Sequence, residues 1–211
     1  MSELEIRPVS PDRWDELVDL FERPGPRGAW PRPSACYCMF WRLPSAEYDA
    51  AFRARSLENQ GGGPNKDKMA ALVAGGAEPG LLAVLDGRSV GWVAVSPRSE
   101  LVRLASSPAL RSDDTPADDA TWAIACFYVH RSAWRSGVGT ALLEAAVARA
   151  AANGATAVES YPVKVGNVDP YTGYDTMFAR AGFRQAKAGR GLGRSLYRRE
   201  LDGGNRRSTV R

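Results

Sequence analysis

Histidine is nearly missing from this chain, at one in 211 residues, and cysteine is scarce, at three. Cys36, Cys38 and Cys126 cannot all pair within one molecule, and the first two are too close for an ordinary bridge. A reduced, cytoplasmic setting is therefore expected rather than a disulfide scaffold. Cys36-x-Cys38 with His130 also falls short of the ligand number and spacing of a zinc site, so no metal is expected. No apolar run approaches the roughly 20 residues that cross a bilayer. No basic-then-apolar leader is read at the start, so no membrane association is expected.

Charge of one sign is in slight excess, with a formal net charge of +4 and a pI near 9.1. Nucleic acid is still not expected as a partner. The excess arginines, Arg190, Arg194, Arg198, Arg199, Arg206, Arg207 and Arg211, gather near the C-terminus, no nucleic-acid-reading motif accompanies them, and the rest is closer to neutral. A nucleic-acid-associated role for this arginine-rich end stays open as a minor alternative. Composition is that of an ordinary globular protein, 44% hydrophobic and 25% charged. The expectation is one domain over residues 1–201, followed by a disordered basic tail over 202–211.

What is present is a mixed α/β pattern. Residues 4–9 alternate as a strand, and Ser10-Pro11-Asp12 opens a helix whose Trp14, Leu17, Val18 and Phe21 share a face. A Pro- and Gly-dense loop over 23–33 leads into the aromatic and sulfur-rich segment 36–42, read as core or pocket wall. Helical patterns at 47–59 and 65–74 flank a Gly-Gly-Gly-Pro break. Residues 80–95 read as a hairpin turning at 86–89, and 96–119 as a polar loop. A buried strand is expected at 120–130, a helix through Leu142, Leu143, Ala146, Val147 and Ala150, and a strand at 157–163. Thr172 and Asp175 have capping-box spacing before a short helix that stops at Gly182, and 183–187 with 195–201 close a final hairpin.

The most informative junction is residues 129–143, where a strand end passes through Gly137 and Gly139 into the strongest helix. The first amides of such a helix lack intrahelical partners and carry partial positive charge, and glycine leaves a ligand room to reach them. Arg135 and Ser136 add phosphate donors. A plain tight turn is the competing reading, weakened because strand, donors and capped helix occur together.

The order of elements, together with residues 129–143 and the ending Met177-Phe178-Ala179-Arg180-Ala181-Gly182-Phe183, resembles the GCN5-related N-acetyltransferase (GNAT) family over about residues 4–201. The resemblance implies a mixed, mostly antiparallel sheet flanked by helices, acetyl-CoA as cosubstrate, and direct attack of an amine on its thioester. It implies that the strand around Phe127 and Val129 binds pantetheine through its backbone, and that Arg135, Ser136, Gly137, Val138, Gly139 and Thr140 hold the diphosphate. The chain departs from the family at three places. Trp134 stands where the motif has a basic residue, Tyr171 where an asparagine is common, and Phe178, seven residues later, where many members carry a proton-donating tyrosine.

Substitutes for that tyrosine are sought nearby. Tyr171, Tyr174 and Phe178 would share a face if the helix began early, making Tyr174 the first candidate acid and Tyr171 the second, with plain aromatic packing as the alternative. Glu159 shares a strand face with Tyr161 and is the candidate base if that face lines the cleft; a solvated edge carboxylate is the alternative. His130 is read as orienting the loop, and Cys126 as inert core. For the acceptor, Tyr37, Phe40, Trp41 and Arg42 offer an aromatic wall with one guanidinium, suited to a small amine that also carries a carboxylate or phosphate. A hydrophobic lid packed on the core is the other reading. The expected activity is acetyl transfer to a small-molecule amine. A catalytically silent acyl-CoA-binding module is the alternative, and a homodimer is left open.

Overall fold

Alternating and β-branched segments pair into one seven-stranded sheet: β1 (Leu4–Pro8), β2 (Gly80–Leu85), β3 (Arg88–Pro97), β4 (Thr121–Val129), β5 (Ala157–Ser160), β6 (Arg184–Lys187) and β7 (Leu196–Glu200). In this computed structural model the described residues are 3–23, 33–54, 63–108, 110, 119–166, 170–191 and 193–201. Strand order is β1-β2-β3-β4-β5-β7-β6, and every pairing is antiparallel except β4 with β5. The expected mixed, mostly antiparallel sheet is what forms. The β2–β3 hairpin closes on Asp86 and Gly87 alone, both left-handed at φ 50° and 76°, a tighter turn than the four residues expected.

The helices are α1 (Trp14–Glu22), α2 (Pro33–Cys36), α3 (Ser45–Arg53), α4 (Gly63–Ala74), α5 (Val102–Ala105), α6 (Val138–Ala152) and α7 (Asp175–Arg180). The period of two in β2 and β3 sends alternate side chains to opposite faces. Leu81, Ala83, Val93 and Val95 join the buried side of α6 (Val138, Leu142, Leu143, Ala146, Val147, Ala150). Leu82, Trp92 and Ala94 face Leu17, Leu20 and Phe21 of α1 and Met69 of α4. Burying Leu20, rather than Val18, turns α1 slightly from the face read in sequence. Gly91 lets α6 lie close to the sheet, since a Cβ there would stand 2.8 Å from Val138 Cγ1 and 3.0 Å from Leu142 Cδ1.

Several boundaries differ from expectation. Of the polar loop at 96–119, the described part holds the end of β3, a short 3-10 turn (Arg98–Glu100) and α5, and its Leu101, Leu104 and Leu110 bury against Trp41 and Tyr161. β5 ends at Ser160 instead of 163, leaving only an isolated bridge from Val163 to Tyr174. The expected loop at 24–32, the far end of the helix at 47–59, the Asp113-Asp114 pair, and the tail at 202–211 lie outside the described residues. Among the described residues, no helix is long and apolar enough to cross a membrane.

Candidate active site

The parallel pairing of β4 with β5 runs from Thr121 and Ala157 to Ile124 and Ser160 and no further. From Ala125 to Val129, β4 keeps its β3 neighbour but has no partner strand on its other edge among the described residues. That leaves a strip of peptide groups for a ligand to bind by strand addition. A bulge sets the phase of this strip: Ala94 opposes Cys126 while Val95 opposes Ile124, so Ala125 is the extra residue. Ala125 and Cys126, though consecutive, both line the same cavity, together with Tyr128. Phe127 and Val129 turn instead to the α6 side, where Phe127 packs on Phe178 with ring centroids 5.9 Å apart. Strict alternation over 121–129 could not have shown this change of phase.

At its far end β4 leads through His130 and a 3-10 turn (Arg131–Ala133) to Gly137, the N-cap of α6 at φ 83°. The first backbone bond of α6 is Ala141 N–H to the Gly137 carbonyl, 3.0 Å, so the amides of Val138, Gly139 and Thr140 belong to the unpaired first turn. A Cβ placed on Gly137 or Gly139 would meet nothing within 4 Å, so space over these amides is open. The arrangement fits a diphosphate. The flanking side chains serve the loop as much as a ligand. Ser136 Oγ donates to the Ala133 carbonyl at 2.7 Å, so its backbone N–H is the donor left for an anion. Arg135 is exposed and held in the left-handed region at φ 63°. Trp134, 66% exposed, donates its indole N–H to the Val129 carbonyl at 2.9 Å. The tryptophan standing in the basic position therefore pins the loop to the strand end, and occupies one lone pair of a carbonyl that had been assigned to pantetheine. His130 accepts the Ser132 N–H and contacts its hydroxyl at 2.8 Å, the loop-ordering role read for it.

On the other face of the sheet, the unpaired part of β4 borders a cavity of about 400 Å³. Phe40 and Trp41 line it as expected, joined by Tyr48 and Phe52 of α3 and by Tyr171. Phe40 and Trp41 meet edge to face at 4.8 Å, and the Arg103 guanidinium sits 4.2 Å from the Phe40 ring centroid. All three cysteines are free, and all three line this cavity. Burial, then the neighbouring Cys38, pushes the Cys36 thiol up to about 11. Burial also raises Tyr48, which hydrogen-bonds Cys36, and Tyr128. At neutral pH the Cys36 thiol and the Tyr48 and Tyr128 phenols are thus protonated, and Cys36 is a weak nucleophile.

Three sequence-based assignments change. Tyr37 is fully buried and does not line the cavity; its hydroxyl donates to Glu22 Oε1 at 2.7 Å and its ring packs on Phe21. With Cys38 it forms a left-handed turn, φ 44° and 53°, that directs Phe40 and Trp41 toward the cavity. Arg42 is drawn away from the cavity into an ion pair with Glu100 at 2.6 Å. The guanidinium of the wall is Arg194, from the segment between β6 and β7, with its Cζ 5.6 Å from the Trp41 ring centroid. No local signal in the sequence linked positions 41 and 194. Glu159 does share its face with Tyr161, whose hydroxyl donates to Oε2 at 2.9 Å. That face is sealed, however. Glu159 is 0% exposed and held by Arg98 at 3.0 Å and Arg198 at 3.2 Å, so it is neither a solvated edge group nor a base open to the cleft.

The proposed aromatic stripe is also not formed, because α7 starts at Asp175. Tyr174 is its half-buried N-cap and does not border the cavity, whereas Tyr171, in the 3-10 turn Pro170–Thr172, does. The capping box is absent too: Asp175 accepts the Thr176 N–H, and the Thr172 hydroxyl makes no hydrogen bond among the described residues. Phe178 is fully buried, so nothing in its place faces the cavity. Among the described residues no cluster of three or more His, Cys, Asp or Glu is arranged to hold a metal ion.

Residues 36–169 match the family model described as the acetyltransferase (GNAT) family. The chain belongs to that family. Among solved structures it is similar to the PaiA N-acetyltransferase of Thermoplasma acidophilum in complex with coenzyme A, at 11% identity over 94% of this chain and 99% of that one, TM-score 0.52. It is similar also to a GNAT-family acetyltransferase of Streptococcus pneumoniae, at 15% identity over 95% and 100%, TM-score 0.53. An N-acetyltransferase of Staphylococcus aureus matches at 12% identity over 95% and 99%, TM-score 0.53. At these identities the likeness is one of fold. No curated protein matches the sequence. The GNAT assignment explains why one strand, β4, borders both the glycine-opened helix start and the cavity.

Proposed function

We propose that this protein transfers the acetyl group of acetyl-CoA to the primary amine of a small molecule. One observation carries the reading: the edge of β4 that has no partner strand among the described residues starts at the aromatic cavity, at Ala125 and Cys126, and leads at Val129 into the turn that opens on the amides of Val138, Gly139 and Thr140. A thiol ester bound along that edge, with its diphosphate on α6, brings its acyl end to the cavity. Backbone amides of the strip orient the pantetheine arm, and the first turn of α6 neutralises the diphosphate. The amine attacks in its neutral form, and the wall of protonated phenols and apolar rings favours that form over ammonium.

Tyr171 is the first choice to protonate the departing thiolate, since it borders the cavity at β4, and Tyr174, at the N-cap of α7, becomes the second. With Glu159 enclosed by two guanidinium groups, the amine proton leaves to water. The test is release of free CoA thiol from acetyl-CoA across a panel of small amines, with acetylated product identified by mass. Amine-dependent release supports the proposal. Tight CoA binding without release for any amine would overturn it in favour of a silent acyl-CoA-binding module.

A further inference from the structure

We infer that the cavity is built for an amine with a flat aromatic body and an anionic group, with Arg194 as its anion contact and Thr172 as its buried polar contact. This rests on the acetyl-transfer reading and assigns the class of its acceptor. Three independent observations support it. The walls are rings, Phe40, Trp41, Tyr48, Phe52 and Tyr128, which offer stacking and edge contacts that a flexible aliphatic chain uses poorly.

The Arg194 guanidinium borders the same space and lies over Trp41. A planar cation on a ring keeps its five N–H donors directed outward, enough to hold a protein neighbour and still meet a carboxylate in a two-pronged contact. The third observation is the Thr172 hydroxyl. Thr172 is 2% exposed and lines the cavity, and its Oγ1 has no hydrogen-bond partner among the described residues. A hydroxyl freed from the capping role its sequence position suggests, and left without a protein partner in a buried wall, is a ready contact for a polar atom of a ligand, which would replace water there. Among the described residues that line the cavity one is a carboxylate, Asp49, on the exposed side of α3.

The experiment compares phenylalanine, phenethylamine and spermidine as acceptors, and as quenchers of tryptophan fluorescence in the CoA-loaded protein. The expected result is a kcat/KM for phenylalanine about tenfold or more above that of phenethylamine, as a charge-assisted contact implies. Spermidine should trail both. Arg194→Gln should raise the KM for phenylalanine about tenfold to a hundredfold and shrink its advantage over phenethylamine by a similar factor. Thr172→Val should weaken quenching by phenylalanine, while Thr172→Ser retains it.

Preference for spermidine, equal loss for both aromatic amines in Arg194→Gln, or a larger loss in Asp49→Asn than in Arg194→Gln would overturn the inference while leaving acetyl transfer intact. If no amine is turned over, acetyl transfer itself fails. The fluorescence arm then still decides the ligand class: selective phenylalanine quenching lost in Arg194→Gln supports it, and no quenching overturns it.

Discussion

At the scale of single residues, the same side-chain types recur in different surroundings, and the surroundings assign the work. Three tyrosines illustrate this. Tyr37 is tied to Glu22 in the core, Tyr174 caps a helix, and Tyr171 alone of the three borders the cavity. Tyr171→Phe is therefore expected to lower kcat about ten- to a hundredfold with CoA affinity unchanged. An equal kcat in wild type and variant would pass the acid role to Tyr174 or to water. Glu159 makes the opposite case. Removing one member of a buried ion-pair network leaves uncompensated charge behind, here on Arg98, whose side chain is only 3% exposed. Glu159→Ala is expected to lose about 3–5 kcal/mol in urea unfolding. A near-neutral result would show that Arg98 readily finds other partners.

At the scale of elements, the central event is the seating of α6 across the sheet. Its Ala- and Leu-rich sequence is a strong helix former, and its buried stripe was legible from spacing alone. How close it sits depends on Gly91, which belongs to another element and carried no such signal. Gly91→Val should push back Val138 and Leu142, in the first two turns of the helix. The expected outcome is a lower melting temperature together with a CoA affinity weakened at least several-fold, read by calorimetry on protein still folded at the assay temperature. Lost stability with unchanged affinity would mean that the α6 amides do not hold the diphosphate. The bulge at Ala125 is a second element-level device, because it turns two consecutive side chains into one cavity wall. A period of two predicts faces only while pairing stays regular.

For the whole molecule, pH offers a clean probe because the chain has a single histidine. The His130 pKa lies below its ordinary 6.5, lowered first by burial and then by Arg23, Arg88 and Arg131, against a smaller opposing pull from Asp19. The unfolded chain therefore takes up this proton before the folded one. Stability should fall as pH drops through about 6.5 and stop falling from this source below the folded-state pKa. His130→Gln should flatten that slope between about pH 7 and 5 and leave the dependence above pH 7.5 unchanged, as followed by thermal melts. An identical slope in the variant would place the titration elsewhere. The sequence by itself determined what depends on neighbours a few positions apart. It placed the strands and the longer helices to within a few residues, though not the short α2 and α5, and it placed the β2–β3 hairpin and the glycine-opened start of α6, because periodicity, turn chemistry and helix ends are local properties. Only the tertiary structure decided which arginine meets the cavity, Arg194 rather than Arg42, and that Glu159 is sealed between Arg98 and Arg198. It also decided that Thr172 faces the cavity instead of capping α7. Those outcomes follow from packing among segments far apart in the chain, where charge pairing and burial choose among residues that look equivalent in sequence.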